Sequence, residues 1–375
     1  MADIKKSKGR VYVAMSGGVD SSVAAALLQR QGYDVYGVYM KEWNPPGIEC
    51  SSGDDRAMAA RVAARLDIPF AVWDFRAEYK KSVADYMLRE YRAGRTPNPD
   101  VMCNRDIKFG VFLKRALAQG ADYIATGHYM RLHSKSQGTN PKAQVLIARD
   151  LHKDQSYFLW TLSQKELKHC LFPIGDYEKP VVRKMAHEFG LPSWDKKDSQ
   201  GVCFVGKLDF GAFLRKYLPH KKGKIMTTSG KVIGEHDGVW FYTLGQRHGI
   251  GVGGGTPYFV SAKNMKKNIL VVGEGDTDTK LFSKELTVSG MHWIGGVAPK
   301  FPLKVKARIR YRQPLQECRI TNQELRIKKG VRKQNSIIHN SCFLIQFRVP
   351  QRAVTPGQSI VFYKGQEMLG GGVID

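Results

Sequence analysis

Three groups of residues in this chain could carry chemistry. The first is Ser16-Gly17-Gly18-Val19-Asp20-Ser21-Ser22, which follows the apolar run Tyr12-Val13-Ala14-Met15 and precedes a helix-prone Val/Ala/Leu stretch. Adjacent glycines let a backbone come close to an anion, and the N–H groups opening a helix point outward at the positive end of its dipole. A strand, a glycine- and hydroxyl-rich turn and a helix in that order build a phosphate cradle. It is not the GxxxxGKS/T loop, because it holds no lysine. The second group is Cys103 with Asp100. Cys103 lies just ahead of a helix expected over 107–119, a position that favours thiolate, and Asp100 can exchange a proton with it. The third is Cys203, with Lys196 and Lys197 near enough in sequence to lower a thiol pKa. A cysteine taken alone is more often a small buried hydrophobe. That role suits Cys50, Cys170, Cys318 and Cys342 better than Cys103 and Cys203, which sit in polar segments beside Gly, Pro and charge.

These groups need elements to position them. Up to about residue 206 the pattern alternates, with strands expected at 11–15, 34–40, 70–75 and 123–126 and helices at 22–31, 55–66, 79–93, 107–119 and 180–189. Such βαβα order implies a doubly wound parallel sheet with ligands at the strand C-termini. The 16–22 turn falls at one such end, and Gly127-His128 falls at another. Met40 closes the second strand, where it could stack on a base or simply fill the core. The run 94–105 reads as a loop, because its prolines and Asn/Asp residues oppose regular structure. From about 208 a helix leads into glycine-rich, strand-rich sequence, and 285–375 alternates like a small β-domain. The boundaries expected are therefore 1–207, 208–284 and 285–375. Within the last part, Lys304, Lys306, Arg308, Arg310 and Arg312 alternate with apolar residues, which on one regular strand would give a basic stripe fit for a phosphate backbone. Segments 134–140 and 330–340 read as exposed loops.

Composition narrows the partners. Of the 375 residues, 59 are Lys or Arg against 34 Asp or Glu, a formal net charge of +25. That excess points to a polyanion, nucleic acid first, since each cation meeting a phosphate releases a counterion. No run of about 18 apolar residues stands in the sequence, so no membrane span is expected. The basic start lacks the apolar core of a signal peptide. Six cysteines without a CxxC pair fit a reducing, cytoplasmic setting and leave no ligand set for an Fe–S cluster.

The turn at 16–22 resembles the PP-loop of ATP pyrophosphatases. With AGRTPNPDVMCNRDIKF at 93–109, ADYIATGHY at 121–129, KDQSYFL at 153–159, KKDSQGVCF at 196–204, YTLGQRHGIGVGG at 242–254, RYRQ at 310–313 and TPGQ at 355–358, nearly the whole chain resembles the tRNA-specific 2-thiouridylase family. The resemblance implies a PP-loop domain, a small central domain and a C-terminal β-barrel, the latter two binding tRNA. It implies ATP-dependent adenylation of the wobble uridine C2 oxygen in tRNAs of the Glu, Gln or Lys type, then sulfur transfer giving 2-thiouridine. Ala14, Met15, Ser16, Gly17, Gly18, Val19, Asp20, Ser21, Met40 and Gly127 would hold ATP with Mg²⁺. Asn98, Pro99 and Asp100 would meet the target base, with Asp100 in proton transfer. Cys203 would carry a persulfide from a sulfur-relay protein or cysteine desulfurase, and Cys103 would be the partner nucleophile, the pair ending as a disulfide. His128, Lys153, Asp154, Gln155, Arg310, Tyr311 and Gln358 would contact tRNA. Arg310 and Tyr311 conflict with the stripe, since neighbours on a regular strand face opposite ways.

Two other functions fit part of the pattern. A PP-loop ligase for a small molecule needs neither a thiol pair nor this charge. An RNA-binding protein with a vestigial loop would bind tRNA without turning over ATP.

Overall fold

The computed structural model describes residues 7–46, 52–134, 142–197, 210–253, 255–323 and 342–375. Cys203, Cys50 and the 330–340 loop lie outside them.

The N-terminal part is a parallel sheet with helices. Its strands are β1 (Arg10–Ala14), β2 (Asp34–Lys41), β3 (Phe70–Asp74), β4 (Tyr123–Ala125) and β7 (Cys170–Leu171), in the order β3-β2-β1-β4-β7. Strand β1 is almost wholly buried, which explains its unbroken apolar character. Helix α1 (Val19–Arg30) runs back along the sheet with Val23, Ala24 and Ala25 fully buried. The strand order reverses direction between β1 and β4, so the crevice at their C-terminal ends is where a doubly wound sheet takes its ligand.

Helix α2 is Ser52–Leu66, and α3 (Arg76–Tyr79), a π-helical stretch (Lys80–Ala84) and α4 (Asp85–Arg92) follow β3. The next helix departs from the sequence reading. It starts at Pro99, not near 107, and runs through α5 (Pro99–Met102), π-helical turns (Cys103–Phe112) and α6 (Leu113–Ala118). Proline at the first helical position loses no hydrogen bond and arrives with its φ preset, while the Asn98 side chain accepts from Val101 N at 3.4 Å. The proline read as a breaker is therefore a starter. Helices α7 (Gln164–Leu167) and α8 (Lys179–Glu188) complete this part.

Helix α9 (Phe210–Tyr217) buries Phe213 and Leu214 in the same core as α4. Beyond it, β8 (Gly223–Thr227), β9 (Val232–His236), β10 (Tyr258–Asn264) and β11 (Ile269–Glu274) form a small sheet with its own apolar core. The last part comprises β12 (Phe282–Trp293), β13 (Leu303–Arg308), β14 (Gln316–Gln323), β15 (Cys342–Arg352), β16 (Ser359–Lys364) and β17 (Glu367–Ile374). They pair β12-β15-β14-β13-β16-β17 and back to β12, a closed antiparallel barrel. A hairpin from the N-terminal part, β5 (Arg131–Ser134) and β6 (Ala143–Leu146), extends this sheet by pairing β6 with the start of β17.

The basic stripe is corrected here. Strand β13 ends at Arg308, so Arg310 and Arg312 fall in a turn, where Arg312 has a φ of 63°. Lys304 and Lys306 are exposed, but Arg308 is buried against Asp154. Two cations on the strand face water, not five, and the conflict between Arg310 and Tyr311 disappears with the strand. Among the described residues no helix is long and apolar enough to cross a membrane.

Candidate active site

The turn after β1 is held open by its own side chains. Ser16 N donates to Ser21 Oγ at 3.2 Å, and the Ser21 and Ser22 hydroxyls donate to Gly18 O at 3.2 and 2.8 Å. Gly17 has a φ of 74°, and a side chain there would overlap the Asp55 carbonyl of α2. Glycine is thus required twice over, for its backbone angle and for the approach of α2. Gly18 caps α1 without a side-chain bond, which leaves the helix N-terminus facing the crevice. Gly127, just past β4, lies against the same turn, and a Cβ there would stand 2.6 Å from Ser21 N. Met15 is buried, while Met40 at the end of β2 stays half-buried.

Two lysines reach this turn from far down the chain. Lys179 Nζ, on the first residue of α8, donates to Asp20 Oδ1 at 2.6 Å, and Tyr129 Oη donates to the same oxygen at 2.9 Å. Lys196 Nζ donates to Gly17 O at 3.2 Å and to Asp55 Oδ1 at 2.5 Å. Sequence reading missed Lys179 altogether and assigned Lys196 to a cysteine. The one available signal for Lys179 was a cation at a helix N-terminus, where the dipole disfavours it.

From Gly127 the chain passes to His128, which leads to the thiol. His128 is buried, shares a 2.8 Å hydrogen bond with Thr126 Oγ1, and lies 5.9 Å from the Phe109 ring. Phe109 belongs to the helix that carries Asp100 and Cys103, one turn apart and hence on one face. Burial drives the His128 pKa well below its ordinary value, so the ring is neutral at pH 7. Burial raises the Asp100 carboxyl, against the pull of Lys108. Burial also pushes the Cys103 thiol up to about 12, with Lys108 opposing and Glu42 and Asp100 reinforcing. Lys108, unnoticed in the sequence, acts on all three groups. The expected thiolate is therefore corrected. The positive helix end lies at Asn98-Pro99, Cys103 is in the second turn, and its side chain is 2% exposed among apolar neighbours.

The residues expected to meet tRNA fall into two sets. Asp154 is inside the protein, 2% exposed. It accepts from Ala148 N at 3.1 Å, Ser156 N at 3.2 Å, Ser156 Oγ at 2.9 Å and Arg308 at 3.3 Å. It braces the 148–156 segment against the barrel and offers no surface to RNA, which corrects its expected role. Gln155 accepts from Tyr129 N at 3.0 Å, and Lys153 beside it is half-buried. Tyr311 packs on Phe158 with ring centroids 4.6 Å apart, and Arg310 donates to Ala353 O at 2.7 Å. Gln358 donates to the carbonyls of Thr96 and Pro97 at 2.9 and 3.0 Å, so the barrel grips the segment leading to Asn98, Pro99 and Asp100. Thr96 N donates to Pro356 O at 2.8 Å in the same junction. Among the described residues no cluster of three or more His, Cys, Asp or Glu could hold a metal ion.

Three family models match in sequence order. They are described as a tRNA methyl transferase HUP domain over 9–207, a tRNA methyl transferase PRC-barrel domain over 211–274 and an aminomethyltransferase beta-barrel domain over 283–374. The chain is 48% identical over 375 residues to a tRNA-specific 2-thiouridylase MnmA of Nitrosomonas eutropha, covering 98% of this chain and 99% of the relative. It is 46% identical over 377 residues to the protein of that name from Streptococcus thermophilus, covering 98% and 96%. Among solved structures, the U34-tRNA thiolase NcsA from Methanococcus maripaludis superposes with a TM-score of 0.35 at 17% identity, over 55% of this chain and 64% of that one. So loose a superposition supports nothing further.

Proposed function

The chain belongs to the tRNA-specific 2-thiouridylase family, and we propose that it uses ATP to replace the C2 oxygen of a tRNA wobble uridine by sulfur. The observation that carries this reading is the link between an anion turn and the helix that bears Asp100 and Cys103: Gly127, just past β4, lies against the turn, and the next residue, His128, packs beside Phe109 of that helix. Full-length relatives of one name at this identity support the substrate. The models named for methyl transfer suggest a second reading. A thiol on the substrate-facing helix and an anion-binding turn favour sulfur transfer with a nucleotide over it.

Uridine C2 carries an amide-like carbonyl whose oxygen is a poor leaving group. In the proposed sequence O2 attacks the α-phosphorus of ATP and pyrophosphate departs. The backbone from Ala14 through Met15, Ser16, Gly17, Gly18, Val19, Asp20 and Ser21, together with Met40 and Gly127, would hold the nucleotide. Mg²⁺ arriving with the phosphates is compatible with Asp20, whose two bonds both go to Oδ1. When bound it would neutralise charge on the leaving pyrophosphate. The terminal sulfur of a Cys203 persulfide then attacks C2 and AMP leaves. Cys103 thiolate attacks the Cys203 sulfur, releasing 2-thiouridine and leaving a Cys103–Cys203 disulfide for an external dithiol to reduce. With burial pushing its thiol up to about 12, Cys103 is protonated at pH 7 in the resting protein. Substrate binding must therefore open its surroundings, and Asp100, one turn before it on the same helix with its pKa raised by burial, would take the proton. Asn98 and Pro99 would border the base and Lys153, Gln155, Arg310 and Tyr311 the RNA path, while Gln358 would hold the 96–97 segment and the buried His128 would pack behind the site. The sulfur donor is a relay protein or desulfurase, and the chain works as units 1–207, 208–284 and 285–375 in the cytoplasm.

Incubation with unmodified tRNA, ATP, a cysteine desulfurase with cysteine as the persulfide source and a dithiol to reduce the resulting disulfide, followed by nucleoside mass analysis, should yield 2-thiouridine and equal AMP. A methylated nucleoside formed with a methyl donor instead, or sulfur incorporation without ATP, would overturn the reading. Cys203→Ser should abolish thiolation while tRNA affinity stays within twofold.

A further inference from the structure

The anion turn has an electrostatic gap. A triphosphate brings about four negative charges, and the residues from Ser16 to Ser22 contribute one carboxylate and no cation. Backbone N–H groups and a helix end offer only about half a positive charge.

Two cations from outside the motif stand at that gap. Lys179 and Asp20 form an uneven pair: the lysine side chain is 8% exposed and the aspartate 33%. A purely internal ion pair would enclose both partners, whereas here the acid opens to the crevice and the lysine backs it. Lys179 also starts α8, where the helix dipole works against a cation, and Asp150 Oδ2, accepting from Lys179 N at 3.0 Å, meets that helix end. Its placement is explained by what lies across from it, the first turn of α1. Lys196 approaches from the other side, on Gly17 O and on Asp55 of α2. Each acid at the turn has a lysine against it, Asp20 with Lys179 and Asp55 with Lys196. Each ammonium has three donors on a flexible stem and can turn toward a phosphate without a change in the backbone.

We propose that Lys179 and Lys196 supply the phosphate-binding cations that the turn lacks, holding the β- and γ-phosphates of ATP and stabilising pyrophosphate as it departs. This rests on the ATP-dependent function proposed above. In the adenylation step the bond between the α-phosphorus and its bridging oxygen breaks, the electron pair goes to pyrophosphate, and the two ammonium groups hydrogen-bond the charge that develops there.

The test compares ATP with AMP on the full chain. Lys179→Met and Lys196→Met should each weaken ATP binding by about 10- to 100-fold, the loss expected for one hydrogen bond to a charged group. AMP, lacking the β- and γ-phosphates, should bind within twofold of wild type. Lys179→Arg should recover part of the ATP affinity. A merely structural role for the lysines would weaken ATP and AMP alike. That result, or ATP affinity within twofold of wild type in both methionine variants, overturns the proposal. Should a variant fold poorly, AMP binding by the same preparation reports its intact fraction. Wild-type protein that binds ATP but makes no 2-thiouridine would refute the proposed function and leave the lysine assignment standing.

Discussion

In the resting protein Cys103 should be a slow thiol, and the structure sets how slow. Its thiol moves from an ordinary 9.0 to about 12. Three units cut the thiolate population roughly 1,000-fold at any pH below both values. A more basic thiolate is also a better nucleophile, and with a Brønsted slope of about 0.45 three units return roughly 20-fold. The net slowing is therefore about 50-fold, before any penalty for a side chain 2% exposed. The assay is labelling by a small aromatic disulfide at pH 7.5, with the Cys103 peptide quantified by mass spectrometry. The reference is Cys103 in the urea-unfolded chain, where the same residue has its ordinary pKa. Folded protein should react at least 50-fold more slowly, and addition of ATP and unmodified tRNA should raise the rate tenfold or more. Labelling of the folded protein within fivefold of the unfolded reference would refute the buried, neutral thiol. A slow rate that ATP and tRNA leave unchanged would refute the opening step.

The remaining expectations concern the frame around that thiol. Arg308→Met should cost about 3–5 kcal/mol by leaving the Asp154 carboxylate buried and unpaired. Burial already raises Asp154, so its folded state holds a proton more tightly than the unfolded one, and stability falls as pH rises through that interval. The deficit of Arg308→Met in urea should accordingly be larger at pH 7 than at pH 5, and an equal deficit at both would count against the pairing. Gly17→Ala should lower tRNA-dependent pyrophosphate release about 100-fold or more, because the turn and α2 must part; wild-type release would mean the overlap is harmless. Gln358→Leu should reduce the rate of thiolation about 10-fold by freeing the 96–97 segment, with tRNA affinity within twofold. A fall in affinity instead would assign Gln358 to the RNA.

The sequence made the anion turn legible because its parts are contiguous: strand, glycines, hydroxyls and helix follow in sixteen or so residues. The alternating order of the first half identified the parallel sheet for the same local reason. What escaped was set by tertiary contact. Lys179 and Lys196 act on a turn some 160 to 180 positions earlier, and no spacing rule connects them. Pro99 was read for its ring and not for its place in a helix. Arg308 on its stripe and Asp154 in its motif both read as surface residues meeting RNA, whereas the fold encloses them together. Cys103 was judged by its nearness to a helix end, whereas its chemistry depends on the apolar side chains that close over it.

Strand β17 divides one of its edges between two owners: residues 370–374 take β12, and 367–368 take β6 from the N-terminal part. A cut that looks clean in the linear chain would thus leave a torn seam in space, with bare ladder groups on the severed barrel and an orphaned hairpin on its former companion. Transplanting either piece into another protein should bring self-association unless the matching fragment travels with it.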